Sequence, residues 1–132
     1  MERILVAFDG SDHAKKALDA AAELAKYSDG EVHVLHVHES GVMAPVETPG
    51  ESSDLVDGAV EELRAAGVKA SGDAIQARSG SAAPAILDAA KAFDSSLIVM
   101  GTRGLSDFSG LLVGSMAHKV IHHAECPVLV VR

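Results

Sequence analysis

The chain has 132 residues, which fits one domain, and its hydrophobic fraction of 48% supplies ample material for a core. Its formal net charge is −8 and only 3% of its residues are aromatic. We therefore expect neither nucleic acid nor an anionic membrane surface as a partner. An acidic protein can still bind a phosphate, provided that backbone N–H groups and helix N-termini supply the attraction.

The single cysteine and the N-terminal segment both indicate a cytoplasmic protein. Cys126 is the only cysteine, so no intrachain disulfide can form, as is usual in a reducing compartment. It directly precedes Pro127 with no activating pattern around it, so we interpret it as a small buried hydrophobe rather than a reactive thiol. The N-terminal apolar run that ends at Phe8 is too short for a signal peptide or a membrane span.

The first half of the chain alternates strand and helix patterns. An apolar run, Ile4–Phe8, predicts a strand buried on both faces, and a helix follows from Ser11 or Asp12 to Asp29-Gly30. The second predicted strand is Val32–His38. A long loop is expected from Glu39 to about Ser53, because this stretch contains two glycines and two prolines.

The same alternation continues to the C-terminus. The remaining predicted elements are a helix from about Asp54 to Ala66, a weaker strand Val68–Ala77, a helix from Ser79 or Ser81 through Phe93, a strand Leu97–Met100, a helix from about Ser115 to Ala124, and a strand Val128–Val131. Gly72 lies within the third strand and suggests either an edge or a bulge there.

This alternation predicts an α/β fold over residues 1–132, a doubly wound open parallel five-stranded sheet with helices on both faces. Right-handed crossovers leave two plausible strand orders, and we expect the order 3-2-1-4-5. That order places the first strand beside the fourth, where the direction of winding reverses. Ligands in such folds bind at this point, outside the carboxyl ends of the strands.

A glycine-rich loop from Gly101 to Ser115 joins the fourth strand to the last helix. Gly101 and Gly104 are expected to adopt positive φ and to leave room for a phosphate near main-chain N–H groups. Gly114 and Ser115 begin the helix, where unpaired N–H groups favour an anion, and Arg103 could reach the phosphate chain. Spacing alone also fits a simple turn without a ligand.

Several segments carry a resemblance to a known family. The first strand is followed by DGS, the second strand ends in HVHE, and the chain closes with CPVLVVR. The loop contains Gly101, two residues, Gly104, nine residues and then Gly114-Ser115. In these features the chain resembles the single-domain, ATP-binding members of the universal stress protein family, whose pattern G-x2-G-x9-G-[S/T] it matches without departure.

The resemblance implies a bound ATP wrapped by two segments of the chain. The implied contacts are Ala7, Phe8, Asp9 and Val37 for adenine and ribose, Met100, Gly101, Arg103 and Gly104 for ribose and the α- and β-phosphates, and Gly114, Ser115 and Met116 for the β- and γ-phosphates. Asp9 suits the ribose hydroxyls as an acceptor, although it could instead only shape the turn and cap the first helix. A Mg²⁺ ion bridging the phosphates is also implied, with no protein ligand predicted for it.

The seven histidines do not predict a metal site. His36 and His38 share one face of the second strand, and His118 and His122 stand four apart on the last helix. The helical spacing could present two imidazoles to one metal, but no cysteine or carboxylate cluster accompanies either pair. We expect His36 and His38 to lie near the mouth of the nucleotide site.

The preferred function is an ATP-binding stress-response or regulatory module. A slow ATP hydrolase or phosphotransferase is one alternative, but no catalytic residue can be assigned, since Asp107 and His118 are candidate bases only by proximity. An interaction module that keeps the loop as a turn is the second alternative. We also expect a homodimer through the apolar edge strand Val128–Val131, unless a loop or helix covers that edge. The resemblance points to the same interface.

Overall fold

The computed structural model describes residues 2–39, 46–77, 81–102 and 113–132 of the chain. Strands and helices alternate along these residues. In chain order they are β1 (Arg3–Ala7), α1 (Asp12–Ser28), β2 (Glu31–His38), α2 (Pro49–Ala65), β3 (Lys69–Gln76), α3 (Ala82–Ala92), β4 (Leu97–Gly101), α4 (Ser115–His123) and β5 (Val128–Val131). None of these helices combines the length and the apolar composition needed to cross a membrane.

The strands form one five-stranded parallel sheet in the order β3-β2-β1-β4-β5, which confirms the predicted fold class and strand order. Helices α1 and α2 pack on one face around a first core that includes Ile4, Val34 and Leu63. Helices α3 and α4 pack on the other face around a second core that includes Leu5, Ile86 and Val120. Side chains of β1 alternate between the two cores, so this central strand is buried on both sides, as its apolar run predicted.

The start of α2 was predicted wrongly. The sequence favoured a loop up to Ser53, whereas the helix begins at Pro49. Thr48 caps it with a reciprocal pair of bonds, since the Thr48 Oγ1 accepts from the Glu51 N–H and the Glu51 carboxylate accepts from the Thr48 N–H. Pro49 stands in the first turn, where its missing N–H costs nothing.

Gly72 marks an edge strand and not a bulge. The register of β3 against β2 runs without interruption from Lys69 to Gln76, and β3 is the outermost strand on its side. A Cβ at Gly72 would lie 2.5 Å from Val56 Cγ1 and 2.9 Å from the Val34 carbonyl oxygen. The glycine is therefore required because α2 packs directly on the strand at this position.

We expect Gly72→Ala to lower the free energy of unfolding by about 1–3 kcal/mol, because the added methyl group has no space between α2 and the sheet. Gly58→Ala in α2 is the matched control, since a Cβ there meets nothing within 4 Å. That change should raise stability by about 0.5–1 kcal/mol through helix propensity. Urea denaturation of the two variants measures both effects, and equal stabilities would contradict the packing argument.

Candidate functional site

The predicted site residues that belong to strands lie at the carboxyl ends of those strands. Val6 pairs with Val99 across β1 and β4, and Ala7 pairs with Leu35 across β1 and β2. The carboxyl ends of β1, β2 and β4 are therefore neighbours. This is the position at which the winding of the sheet reverses, where open α/β sheets place their ligands.

Four of the predicted contact residues share the second core. Ala7 and Met100 belong to its buried part, and Val37 and Met116 pack against it with partial exposure. They come from β1, β4, β2 and α4, so four separate elements contribute to this apolar cluster. Val37 and Met116 are its partly exposed members among these four.

Phe8 directs its side chain away from the cluster that contains Ala7 and Met100. That side chain is buried in the first core, on the face of the sheet opposite to Ala7 and Met100. Its N–H already donates to the Leu35 carbonyl at 2.8 Å. The direction of its side chain follows from strand alternation, which sends neighbouring residues to opposite faces.

The turn after β1 is shaped by Asp9 and capped by Ser11. The Asp9 Oδ1 accepts from the Ser11 N–H at 2.9 Å, and the Ser11 Oγ accepts from the Ala14 N–H at 3.2 Å. Gly10 between them has φ of 81°, a conformation that glycine adopts without strain. Asp9 thus forms the turn but is not the helix cap, and its side chain lies directly after the end of β1.

The positive φ predicted for Gly101 is wrong. This glycine is the last residue of β4, and its φ is not positive. A Cβ at this position would lie 2.7 Å from the His13 Cβ and 2.9 Å from the His13 carbonyl carbon. The glycine therefore permits the first turn of α1 to approach the end of β4.

His13 and Thr102 join α1 to β4 at the same place, and neither was singled out from the sequence. The Thr102 Oγ1 lies 2.9 Å from the His13 Nδ1, and Thr102 is buried. The Thr102 N–H donates to the Val131 carbonyl of β5. Thr102 could have been noticed as a polar residue within the G-x2-G segment. Its partner His13 is distant in the sequence, so the contact itself could not be predicted.

The N-terminus of α4 lies beside the end of β4. The Gly114 N–H donates to the Thr102 carbonyl at 2.6 Å, so the connection returns close to the point where it leaves the sheet. Gly114 is the N-cap and provides no side-chain cap, which leaves the first N–H groups of the helix to other acceptors. Ser115, the first helical residue, is exposed. Arg103 and Gly104 lie outside the described residues.

A buried histidine links β1 and β2 to the residues before α2. The His36 Nδ1 lies 2.8 Å from the Phe8 carbonyl oxygen, and its Nε2 lies 2.9 Å and 3.0 Å from the two carboxylate oxygens of Glu47. The His38 Nδ1 is 3.1 Å from the same carboxylate, and the Ser52 Oγ donates to it at 2.8 Å. We call these four side chains, His36, His38, Glu47 and Ser52, the Glu47 cluster.

Glu47 is ionised at neutral pH. Burial raises the pKa of its carboxyl, because desolvation disfavours the charged form, but hydrogen bonds from Ser52, His36 and His38 and the charge of His36 prevail. The net pKa lies below the ordinary value of 4.5. The carboxylate therefore stabilises the fold above about pH 4.5, and this contribution is lost as the pH falls through the lowered pKa.

The remaining candidates for chemistry form no site in the part of the chain that the structure describes. The imidazole rings of His118 and His122 stack with centroids 6.3 Å apart, and no three or more His, Cys, Asp or Glu side chains among the described residues are arranged to hold a metal ion. Cys126 is partly buried against the second core, and burial raises the pKa of its thiol. The thiol is thus protonated at neutral pH, as expected for a packing residue.

Comparison with known proteins identifies relatives over the full length of the chain. The sequence model of the universal stress protein family matches residues 1–132. A universal stress protein of Bacillus subtilis, YxiE, is 37% identical over 148 residues, and the match covers 98% of each chain.

Two solved structures with a similar fold contain a bound nucleotide. The universal stress protein from Archaeoglobus fulgidus in complex with dAMP is 26% identical with a TM-score of 0.76, covering 100% of this chain and 98% of that one. A universal stress protein in complex with cAMP is 25% identical with a TM-score of 0.75, covering 99% and 96%. The chain described here belongs to the universal stress protein family.

Proposed function

We propose that this protein binds an adenine nucleotide, ATP in particular, where β1, β4 and α4 meet, and that it acts as a cytoplasmic regulator in the stress response. The observation that carries the proposal is the position of the α4 N-terminus. The bond from Gly114 to the Thr102 carbonyl holds this helix end beside the switch point of the sheet. A helix N-terminus attracts phosphate through its N–H groups and its dipole.

The phosphates bind at α4 in this proposal. The N–H groups that Gly114 leaves uncapped donate to the β- and γ-phosphates together with the Ser115 hydroxyl, and Met116 borders the phosphates. Main-chain donors suit a protein with a net charge of −8, since they need no excess of basic side chains. Arg103 and Gly104 complete the phosphate site by their place in the family motif. Mg²⁺ is held through the phosphates alone.

The base and the ribose bind at the ends of the strands. Adenine lies at the ends of β1, β2 and β4, next to Ala7, Val37 and Met100, and Phe8 contributes by supporting the backbone of β1. Asp9 accepts from the ribose hydroxyls, and Gly101 borders the ribose. The relatives that hold dAMP and cAMP support adenine as the base, because both ligands share adenine and a phosphate on the sugar.

Calorimetric titration of the wild type and of Asp9→Ala with ATP and with 2′,3′-dideoxy-ATP tests the proposed function. We expect the wild type to bind ATP, and Asp9→Ala to weaken it by about ten- to a hundredfold, since a charge-assisted hydrogen bond contributes about 1.5–3 kcal/mol. The loss should be smaller for the dideoxy compound, which lacks those hydroxyls.

Asp9→Asn is the matched control, because its amide oxygen can still accept from the Ser11 N–H and preserve the turn. Circular dichroism verifies that each variant is folded. A wild type without affinity for ATP, AMP or ADP would overturn the proposed function. If Asp9→Ala lost the same affinity for ATP and for the dideoxy compound, Asp9 would act only by shaping the turn.

A further inference from the structure

We propose that His36 is a positioning residue for the nucleotide site and that its ion pair with Glu47 makes nucleotide binding dependent on pH. The inference rests on the proposed function, because it concerns the same end of β1. It adds a regulatory role for the Glu47 cluster, which contributes no direct contact to the nucleotide in the site proposed above.

The hydrogen bonds of His36 define its protonation state. Its Nδ1 faces the Phe8 carbonyl oxygen, which can only accept, and its Nε2 faces the ionised carboxylate of Glu47, which also can only accept. Both ring nitrogens must therefore donate. Only the imidazolium form carries two N–H groups, so the geometry requires a protonated His36 beside an ionised Glu47.

A neutral ring cannot satisfy this environment. With the proton on Nδ1, the Nε2 lone pair faces the Glu47 carboxylate, and with the proton on Nε2, the Nδ1 lone pair faces the Phe8 carbonyl. His36 is only 4% exposed, so solvent has little access to relieve the repulsion. Loss of the proton must therefore weaken one of the two contacts.

The contact with Phe8 connects the ring to the nucleotide site. Because a peptide unit is planar, fixing the Phe8 carbonyl oxygen also fixes the direction of the Asp9 N–H across the same peptide bond. The Phe8 N–H is held by Leu35, the residue that precedes His36 in β2. Two successive residues of β2 thus hold the last peptide units of β1, directly before the side chain assigned to the ribose.

Charged and polar groups surround the His36 ring. The Glu47 carboxylate lies against the ring, and an adjoining cleft of about 510 Å³ is lined by residues of α2 and β3. Among the described residues, the other titratable groups at the cluster and along this cleft are His38 of β2, Asp57 of α2 and Asp73 of β3, and Ser52 of α2 adds its hydroxyl. The Phe8 carbonyl is the group that β1 presents to the ring.

The sign of the pH dependence follows from these groups. As the pH rises, His36 loses its proton, the contact with Phe8 or Glu47 weakens, and nucleotide affinity falls. As the pH drops through the lowered pKa of Glu47, the carboxylate is protonated and the pair is lost from the other side. Affinity should therefore be highest between these two titrations.

The test is the dissociation constant for ATP of the full-length protein between about pH 5.5 and 9, within the range where histidine titrates. We expect the wild-type affinity to fall by about five- to tenfold toward the alkaline end, as for a typical coupling between two sites. His36→Asn and His36→Gln separate the two contacts. The Asn amide can replace the Nδ1 donor toward Phe8, whereas the Gln amide replaces the Nε2 donor toward Glu47.

We expect His36→Asn to bind ATP more tightly than His36→Gln and to show a flat pH profile, since its amide does not titrate. His33→Gln is the control, because His33 lies on the same strand and pairs with Asp73 at 3.2 Å but makes no contact with Phe8. Its pH profile should follow that of the wild type. Circular dichroism at each pH confirms that the variants remain folded.

NMR of the imidazole nitrogens supplies a readout that needs no variant. In the nucleotide-free wild type at neutral pH, both nitrogens of His36 should carry protons. A neutral His36, or a wild type that binds ATP with the same affinity across the pH range, would overturn the inference and leave the proposed function intact. A wild type with a doubly protonated His36 but no affinity for nucleotide would overturn both.

Discussion

Replacement of Gly114 by Val is expected to weaken ATP binding by more than about a hundredfold while the protein remains folded. Two charge-assisted hydrogen bonds from the α4 N-terminus contribute about 1.5–3 kcal/mol each, and a branched side chain at the N-cap excludes the phosphate from both. The backbone tolerates the change, because Gly114 has φ of −64° and ψ of 160°, an extended conformation that valine adopts readily. Isothermal titration calorimetry measures the loss.

Val113→Ala provides the matched control for this experiment. Val113 is the preceding residue and its side chain is exposed, so its truncation removes no donor from the helix N-terminus. It should retain the wild-type affinity for ATP. Gly114→Ala, with a smaller side chain, should give an intermediate loss. Undiminished affinity in a folded Gly114→Val protein would exclude the α4 N-terminus as the phosphate-binding site.

Much of this fold could be predicted because the central strands of the sheet are local apolar runs. Ile4–Phe8 and Leu97–Met100 are short apolar runs bounded by turn residues, and the structure pairs them at the centre of the sheet. The switch point follows from the strand order alone. The residues that follow these strands could therefore be placed together at the carboxyl end of the sheet without any knowledge of their contacts.

The predictions failed where the role of a residue depends on a contact with a residue distant in the sequence. Gly101 was assigned a positive φ from its place in a glycine-rich loop, whereas its requirement comes from the approach of His13. The pairing of His36 with Glu47 depends on the position of α2, whose start was missed. A local signal did exist, since Thr48 and Glu51 have the spacing of a capping box, but Pro49 and Gly50 favoured a loop.

The last prediction concerns self-association through β5, which we propose as a dimer interface. The strand order places β5 at one edge of the sheet and β3 at the other. The β5 edge is apolar throughout, with Leu129 38% exposed, whereas β3 carries Lys69 and Asp73. Charged side chains protect an edge against pairing, so β5 is the better candidate. Two copies can pair antiparallel about a two-fold axis and satisfy the free N–H and C=O groups of both strands.

The ladder between β4 and β5 selects the residue to change. The Ile98 N–H donates to the Pro127 carbonyl and the Thr102 N–H to the Val131 carbonyl, so residues 127, 129 and 131 face β4. The N–H groups of Val128 and Val130 therefore face the free edge. A proline at 129 would break the sheet itself, whereas Val130→Pro removes a donor only from the outer side.

We expect sedimentation equilibrium to find a dimer for the wild type at micromolar concentration and a dimer at least about tenfold weaker for Val130→Pro. The change acts twice in a two-fold interface, and each lost hydrogen bond contributes about 0.5–1.5 kcal/mol in addition to the clash of the proline rings.

Ala74→Pro is the matched control on β3. The Ala77 N–H donates to the His38 carbonyl, so by the same alternation the Ala74 N–H faces the opposite free edge. This control should leave the dimer unchanged. A monomeric wild type, or a folded Val130→Pro protein that dimerises as strongly as the wild type, would exclude β5 as the interface.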